Sequence, residues 1–148
     1  TGVQTCALPI CVDVMFIDMP PGTGDVPLTV FQSIPVDGIV VVTSPQQLVS
    51  MVVEKAVHMA ELMKIPVLAL VQNMSYVECP GCREVIRPFG ESDIRTLADK
   101  HSIPATAELP IQKDLAVACD AGLIELFEGD WLNGLADDIE KMLKEETA

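Results

Sequence analysis

Apolar positions along the chain alternate between short continuous runs and longer stretches of three-to-four spacing, which predicts strands and helices in turn. Val12, Val14, Met15, Phe16 and Ile17, interrupted only by Asp13, form the first run. It predicts a strand over residues 12–18, buried on both faces as in a parallel sheet. Residues 26–34 read as a short helix. The β-branched run GIVVVT at 38–43 predicts a second buried strand, and Ser44-Pro45-Gln46 breaks it and could open a helix. Residues 47–64 carry the longest helical pattern, with Val49, Val52, Val53, Ala56, Ala60 and Met63 on one face and Glu54, His58 and Glu61 on the other. His58 reads as a solvated side chain and the methionine-rich face as core. A third strand comes next over 67–72, ending at Asn73-Met74-Ser75, then an irregular cysteine-bearing segment over 76–88. Helix at 92–101, strand at 103–109 and helix at 112–121, stopped by Gly122, complete the middle of the chain. Trp131, Leu135, Ile139 and Met142 space out an amphipathic terminal helix with an acidic opposite face, expected to pack on the sheet. The alternation predicts an α/β fold, a parallel sheet with helices on both faces. Residues 1–10 carry no strong periodicity and are set apart as a non-native or unassigned leader, leaving 11–148 for the fold.

Within this frame, Asp18 would emerge at the carboxyl end of the first strand, where open α/β sheets bind ligands. Pro20 and Pro21 then fix two φ angles, while Gly22 and Gly24 allow conformations and approaches closed to other residues. Rigid entry followed by bare N–H groups suits an anion-sensing loop, and it equally suits a tight turn with no ligand. Asp25 is placed to cap the next helix. Asn73, at the end of a buried strand, has a carboxamide able to donate and accept along an adenine edge, or to form a turn. Cys79-Pro80-Gly81-Cys82 offers two thiolates to one metal centre but not a complete tetrahedral set. A two-fold dimer would double it to four, enough for a [4Fe–4S] cluster or a zinc ion. A thioredoxin-like redox pair is the other reading, although that chemistry sets its first cysteine at a helix N-terminus. Cys119, beside Leu115 and Ala118, reads as a small core residue.

Composition narrows the choice. The 148 residues are 49% hydrophobic but only 4% aromatic, so aliphatic side chains must fill one compact core. A formal net charge of -13 argues against nucleic acid and anionic membrane surfaces as direct partners. Five cysteines, an odd number and unevenly spread, suit thiols in a reducing cytoplasm better than a disulfide framework.

DMPPGTGD at 18–25, NMS at 73–75 and CPGC at 79–82 together resemble the Mrp-type iron–sulfur P-loop ATPases, of the group that includes the nitrogenase iron protein and the partitioning ATPases. The resemblance covers nearly everything from residue 12 onward. It implies that Asp18 holds Mg²⁺ through water, that the turn bearing Gly22 and Gly24 responds to the γ-phosphate of ATP, and that Asn73 contacts the base. Pro110 resembles a further residue lining the base pocket. Cys79 and Cys82 would bridge a [4Fe–4S] cluster between the subunits of a homodimer, for transfer to apo iron–sulfur proteins. Phe89-Gly90-Glu91-Ser92 departs from the family's run of glycines. The larger departure is that no Gly-Lys-Ser/Thr occurs, so the chain has no Walker A loop. The expectation is a C-terminal portion of a longer ATPase, itself inactive. The rival readings are a partitioning or positioning ATPase without a cluster, and a structural zinc-bridged dimer.

Overall fold

A computed structural model describes residues 14–90 and 93–146. The elements run α1 (Asp25–Ser33), β1 (Ile39–Thr43), α2 (Gln47–Met63), β2 (Val67–Glu78), β3 (Val85–Ile86), α3 (Ile94–Lys100), β4 (Ala105–Pro110), α4 (Lys113–Ala121) and α5 (Asn133–Glu146), with a single 3-10 turn at Ile124–Leu126. β2 is central: β1 and β4 both pair with it in parallel, while the two-residue β3 pairs antiparallel with its far end. Parallel neighbours require crossovers, and α2 and α3 supply them. The α/β class and the parallel arrangement expected from the sequence are therefore present, with one short antiparallel hairpin added.

Successive side chains of β2 point to opposite faces, so each face has its own core. Leu70 packs with Val53 and Val57 of α2, Ile94 and Ala98 of α3, and Ile103. Ala69 and Val71 pack with Ala105 and with Leu135 of α5, which Ile139 and Met142 extend. The terminal helix does lie against the sheet. Between α2 and α3, Glu54 and Lys100 pair on the surface, and Lys100 holds the Glu54 carboxyl below the usual carboxylate range, first by its hydrogen bond and then by its charge. His58 is exposed beside Glu61. Among the described residues no helix is long and apolar enough to cross a membrane.

Of the strand expected over 12–18, the described residues 14–18 form none. Residues 14–18 have no regular structure and their apolar side chains are exposed, Phe16 by 86%. An apolar run becomes a strand only when a neighbour satisfies its N–H and C=O groups, and no described strand pairs with it. Residues 1–13 lie outside the described residues. Three smaller corrections have the same cause, the presence or absence of a local partner. Gly24 rather than Asp25 is the N-cap of α1, and Asp25 is its first helical residue, with no side-chain cap bond. Strand β2 does not stop at Gln72 but continues to Glu78. Cys119 is exposed rather than core, because α4 has no buried residue; its apolar spacing marks a face that is only partly covered, with Leu115 and Ala118 half-buried. Gly122 does end α4, in the left-handed conformation at φ 67°, with its N–H reaching Ala118 O and Cys119 O.

Gly38 precedes β1, and a methyl group placed on it would stand 2.5 Å from Leu68 Cγ. Leu68 is itself buried and cannot swing away, so Gly38→Ala is expected to cost about 1–3 kcal/mol as overpacking. Chemical denaturation measures it.

Candidate functional site

At the carboxyl end of the parallel strands, β2 outruns β4. Gln72 pairs with Glu108 and Tyr76 with Pro110, so Asn73, Met74 and Ser75 stand opposite the single residue Leu109. This bulge absorbs the extra length by placing Met74 at φ 60°, and the Asn73 side chain steadies it, Oδ1 accepting from the Met74 N–H at 2.8 Å. Below it Ser75 is fully buried and donates to Gln72 Oε1 and to the Gln72 carbonyl, both at 3.0 Å. Pro110 is buried and Ile111 N–H reaches Tyr76 O at 2.7 Å. Asn73 and Pro110, separately expected at a base pocket, thus arrive at one strand edge. The Asn73 oxygen accepts one bond there, and its Nδ2 supplies a donor.

Beyond the bulge, β2 rises into a hairpin that carries both cysteines. Cys79 N–H donates to Glu84 O and Arg83 N–H to Cys79 O, each at 2.9 Å, and Arg83 takes φ 59° to close the turn. The turn aims backbone N–H groups of Cys82 and Gly81 at the Cys79 sulfur, and these bonds, largest first from Cys82, hold the Cys79 thiol below its ordinary range. Hydrogen bonding to the charged form favours the thiolate. Cys79 is half-buried and Cys82 exposed. The chain leaves Cys82 into the strand β3, not into a helix, so the pair lacks the helix N-terminus of a thioredoxin-like site. Among the described residues no three His, Cys, Asp or Glu side chains gather into a metal site. The donor set fits half of a thiolate centre.

The expected phosphate-facing residues sit apart from this edge in sequence. Asp18 is exposed in the irregular segment. Gly22 takes φ 100°, which only glycine adopts readily. Gly24 has an ordinary φ of -82° and a side chain there would meet nothing within 4 Å, so its backbone alone does not demand glycine. A cleft of about 430 Å³ opens on the α3 side, lined by Tyr76, Arg87, Arg95, Thr106 and Glu108 among others; none of the residues expected from the sequence lines it. Sequence reasoning also missed the contact among its lining residues, where Arg87 Nη1 donates to Glu108 Oε2 at 3.0 Å and Arg87 Cζ lies 5.9 Å from the centre of the Tyr76 ring. Burial, first, and the nearby Glu78 and Glu108 carboxylates push the Tyr76 hydroxyl above its usual range.

A parallel α/β domain whose central strand ends in a two-cysteine hairpin defines the class, and comparison with known proteins agrees. The ParA family model described as NUBPL iron-transfer P-loop NTPase matches residues 10–144, and the chain belongs to that family. It is 42% identical over 118 residues, 80% of its length, to the iron-sulfur cluster carrier protein of Pyrococcus abyssi. It is 40% identical over 110 residues, 74% of its length, to the iron-sulfur cluster transfer protein NUBPL of Mus musculus. The chain spans 40% of the first of these relatives and 34% of the second. A solved nucleotide-binding protein from Archaeoglobus fulgidus, in complex with ADP and with Co found by PIXE, superposes with a TM-score of 0.71 at 48% identity, covering 77% of this chain and 47% of that one.

Proposed function

We propose that this chain is the cluster-bearing and base-reading part of an ATP-dependent iron–sulfur cluster carrier, which holds a [4Fe–4S] cluster as cargo and passes it to apo-proteins. The observation that carries the proposal is the Cys79–Cys82 hairpin: two accessible sulfurs, one favoured as thiolate, with no group of three His, Cys, Asp or Glu side chains forming a metal site among the described residues. A cubane takes about four thiolates, so two copies of the hairpin meeting across a two-fold axis complete the set. Asn73 would donate from Nδ2 to the adenine edge, with Pro110 against the base. Asp18 would hold Mg²⁺ through water, and the N–H groups around Gly22 and Gly24 would meet the γ-phosphate. The family membership and the ADP-bound relative support a nucleotide role. Anaerobic reconstitution with ferrous iron and sulfide tests the cargo: a brown chromophore with about two irons per chain is expected from four-iron clusters shared between two chains. A colourless, zinc-loaded dimer would overturn it.

Nucleotide affinity is a separate matter. The chain has no Gly-Lys-Ser/Thr to cradle β- and γ-phosphates. Calorimetric titration of this chain with Mg-ATP is therefore expected to show no micromolar binding; an isotherm in that range would mean that the phosphates are held by groups other than a Walker A loop.

A further inference from the structure

The cysteine hairpin is weakly rooted by the usual means. Its second strand, β3, is two residues long, and only two pairs, Val77 with Ile86 and Glu78 with Val85, join it to β2. So short a ladder is not stable alone. Burial does not compensate, since Val85 and Ile86 are each 51% exposed. Yet the turn must hold a defined shape for its N–H groups to reach the Cys79 sulfur. The first side chain past β3 is Arg87, and it leaves the hairpin to grip β4 through Glu108. Both partners are about three-tenths exposed, at 30% and 28%, so the pair is less screened than a fully solvated one. The guanidinium also lies at cation–π distance from Tyr76 on β2. One side chain thus ties all three strands together at the hairpin's root.

We infer that Arg87, with Glu108, is a positioning residue for the metal-binding hairpin: the Arg87–Glu108 bridge, braced on Tyr76, fixes the turn in the shape that presents Cys79 and Cys82 as a pair. This inference rests on the cluster-binding reading of the hairpin. It also ties the hairpin to the nucleotide edge, because Glu108 pairs with Gln72 and stands two residues before Pro110. Arginine suits this place better than lysine, which has no planar face to lay against the Tyr76 ring.

The test uses the full chain and two readouts. In the metal-free protein, amide hydrogen exchange reports the turn directly through Cys79 N–H and Arg83 N–H, whose acceptors are Glu84 O and Cys79 O. Arg87→Gln and Glu108→Gln are each expected to speed exchange at these two amides at least tenfold, leaving the amides of Ala69, Leu70 and Val71 unchanged. The double substitution should be no worse than either single one, and Arg87→Lys should restore protection only in part. Titration with Co²⁺, followed by thiolate-to-cobalt absorption, is expected to weaken about tenfold in the same variants. Unchanged exchange in both single variants would overturn the inference, and so would equal loss of protection at the hairpin and in the core, since that is global destabilisation. If the unaltered chain takes up Co²⁺ no better than Cys79→Ser, the cluster reading fails, while hairpin exchange still decides the positioning role.

Discussion

Replacing either Cys79 or Cys82 with alanine is expected to abolish both the brown chromophore and the metal-dependent dimer, while Cys119→Ala leaves both intact. The expectation rests on ligand counting and on where the structure puts each sulfur. Cys79 and Cys82 share one turn, and backbone N–H groups from that turn favour the Cys79 thiolate. Cys119 is on α4, an exposed helix separate from the hairpin, and no third ligand gathers into a site among the described residues. In the proposed dimer each chain would contribute two of about four thiolates, and removing one per chain would leave two for a whole cluster. On the proposed reading the same sulfurs would join the subunits, so assembly would depend on the metal. Iron content, visible absorption and light scattering on one preparation check the three consequences together. A Cys79→Ala, Cys82→Ala double variant that still built a full cluster would end the proposal, as would a monomer carrying one.

Leu70→Ala is expected to be the most damaging single change to the fold. Leu70 has no exposed surface and lies where two helices meet the central strand, with Val53, Val57, Ile94, Ala98 and Ile103 around it. Four of those neighbours are fixed in α2 and α3, and the Ile103 N–H bonds Ala98 O at 2.9 Å, so they cannot collapse onto the space left. Truncations of this kind cost about 3–5 kcal/mol, which is a large part of the ~5–15 kcal/mol that holds a small domain folded. Leu62→Ala is the matched control: the same atoms are removed, but Leu62 is 71% exposed, and a change within about 0.5 kcal/mol is expected. Urea unfolding of the two variants beside the unaltered chain decides it. Equal midpoints for Leu70→Ala and Leu62→Ala would mean that the core is not centred on β2.

Elements whose signal is local are legible in the sequence. β1 comes from its continuous β-branched run, α2, the start of β2, β4 and α5 from the patterning of apolar residues, and Gly122 marks the end of α4 because a left-handed cap needs it. Residues 14–18 mislead because a run of apolar residues states only that burial is wanted, whereas a strand also needs a neighbour. Cys119 misleads for the same reason, its helical spacing defining a face but not a cover. The Asn-Met-Ser tripeptide is a turn signal, and it conceals a bulge from which β2 resumes. Asn73, Pro110 and the cysteine pair stand out by motif, and their shared edge is a product of register. Nothing in the sequence joins Arg87 to Glu108, which lie 21 residues apart and meet only because β3 and β4 flank the same strand.

The bulge at residues 73–75 has a consequence for which lengths of chain this edge tolerates. Between Gln72 and Tyr76 the central strand advances four positions while β4 advances two. Both counts are even, so the pleat leaves the bulge in the phase in which it entered. Removing one residue there would invert that phase and turn Tyr76 away from Arg87, exchanging the two sides of the cysteine turn. Removing a pair would shorten the arm and keep its handedness. The tripeptide acts as a phase-preserving spacer, and variation in its length is compatible with this architecture in steps of two.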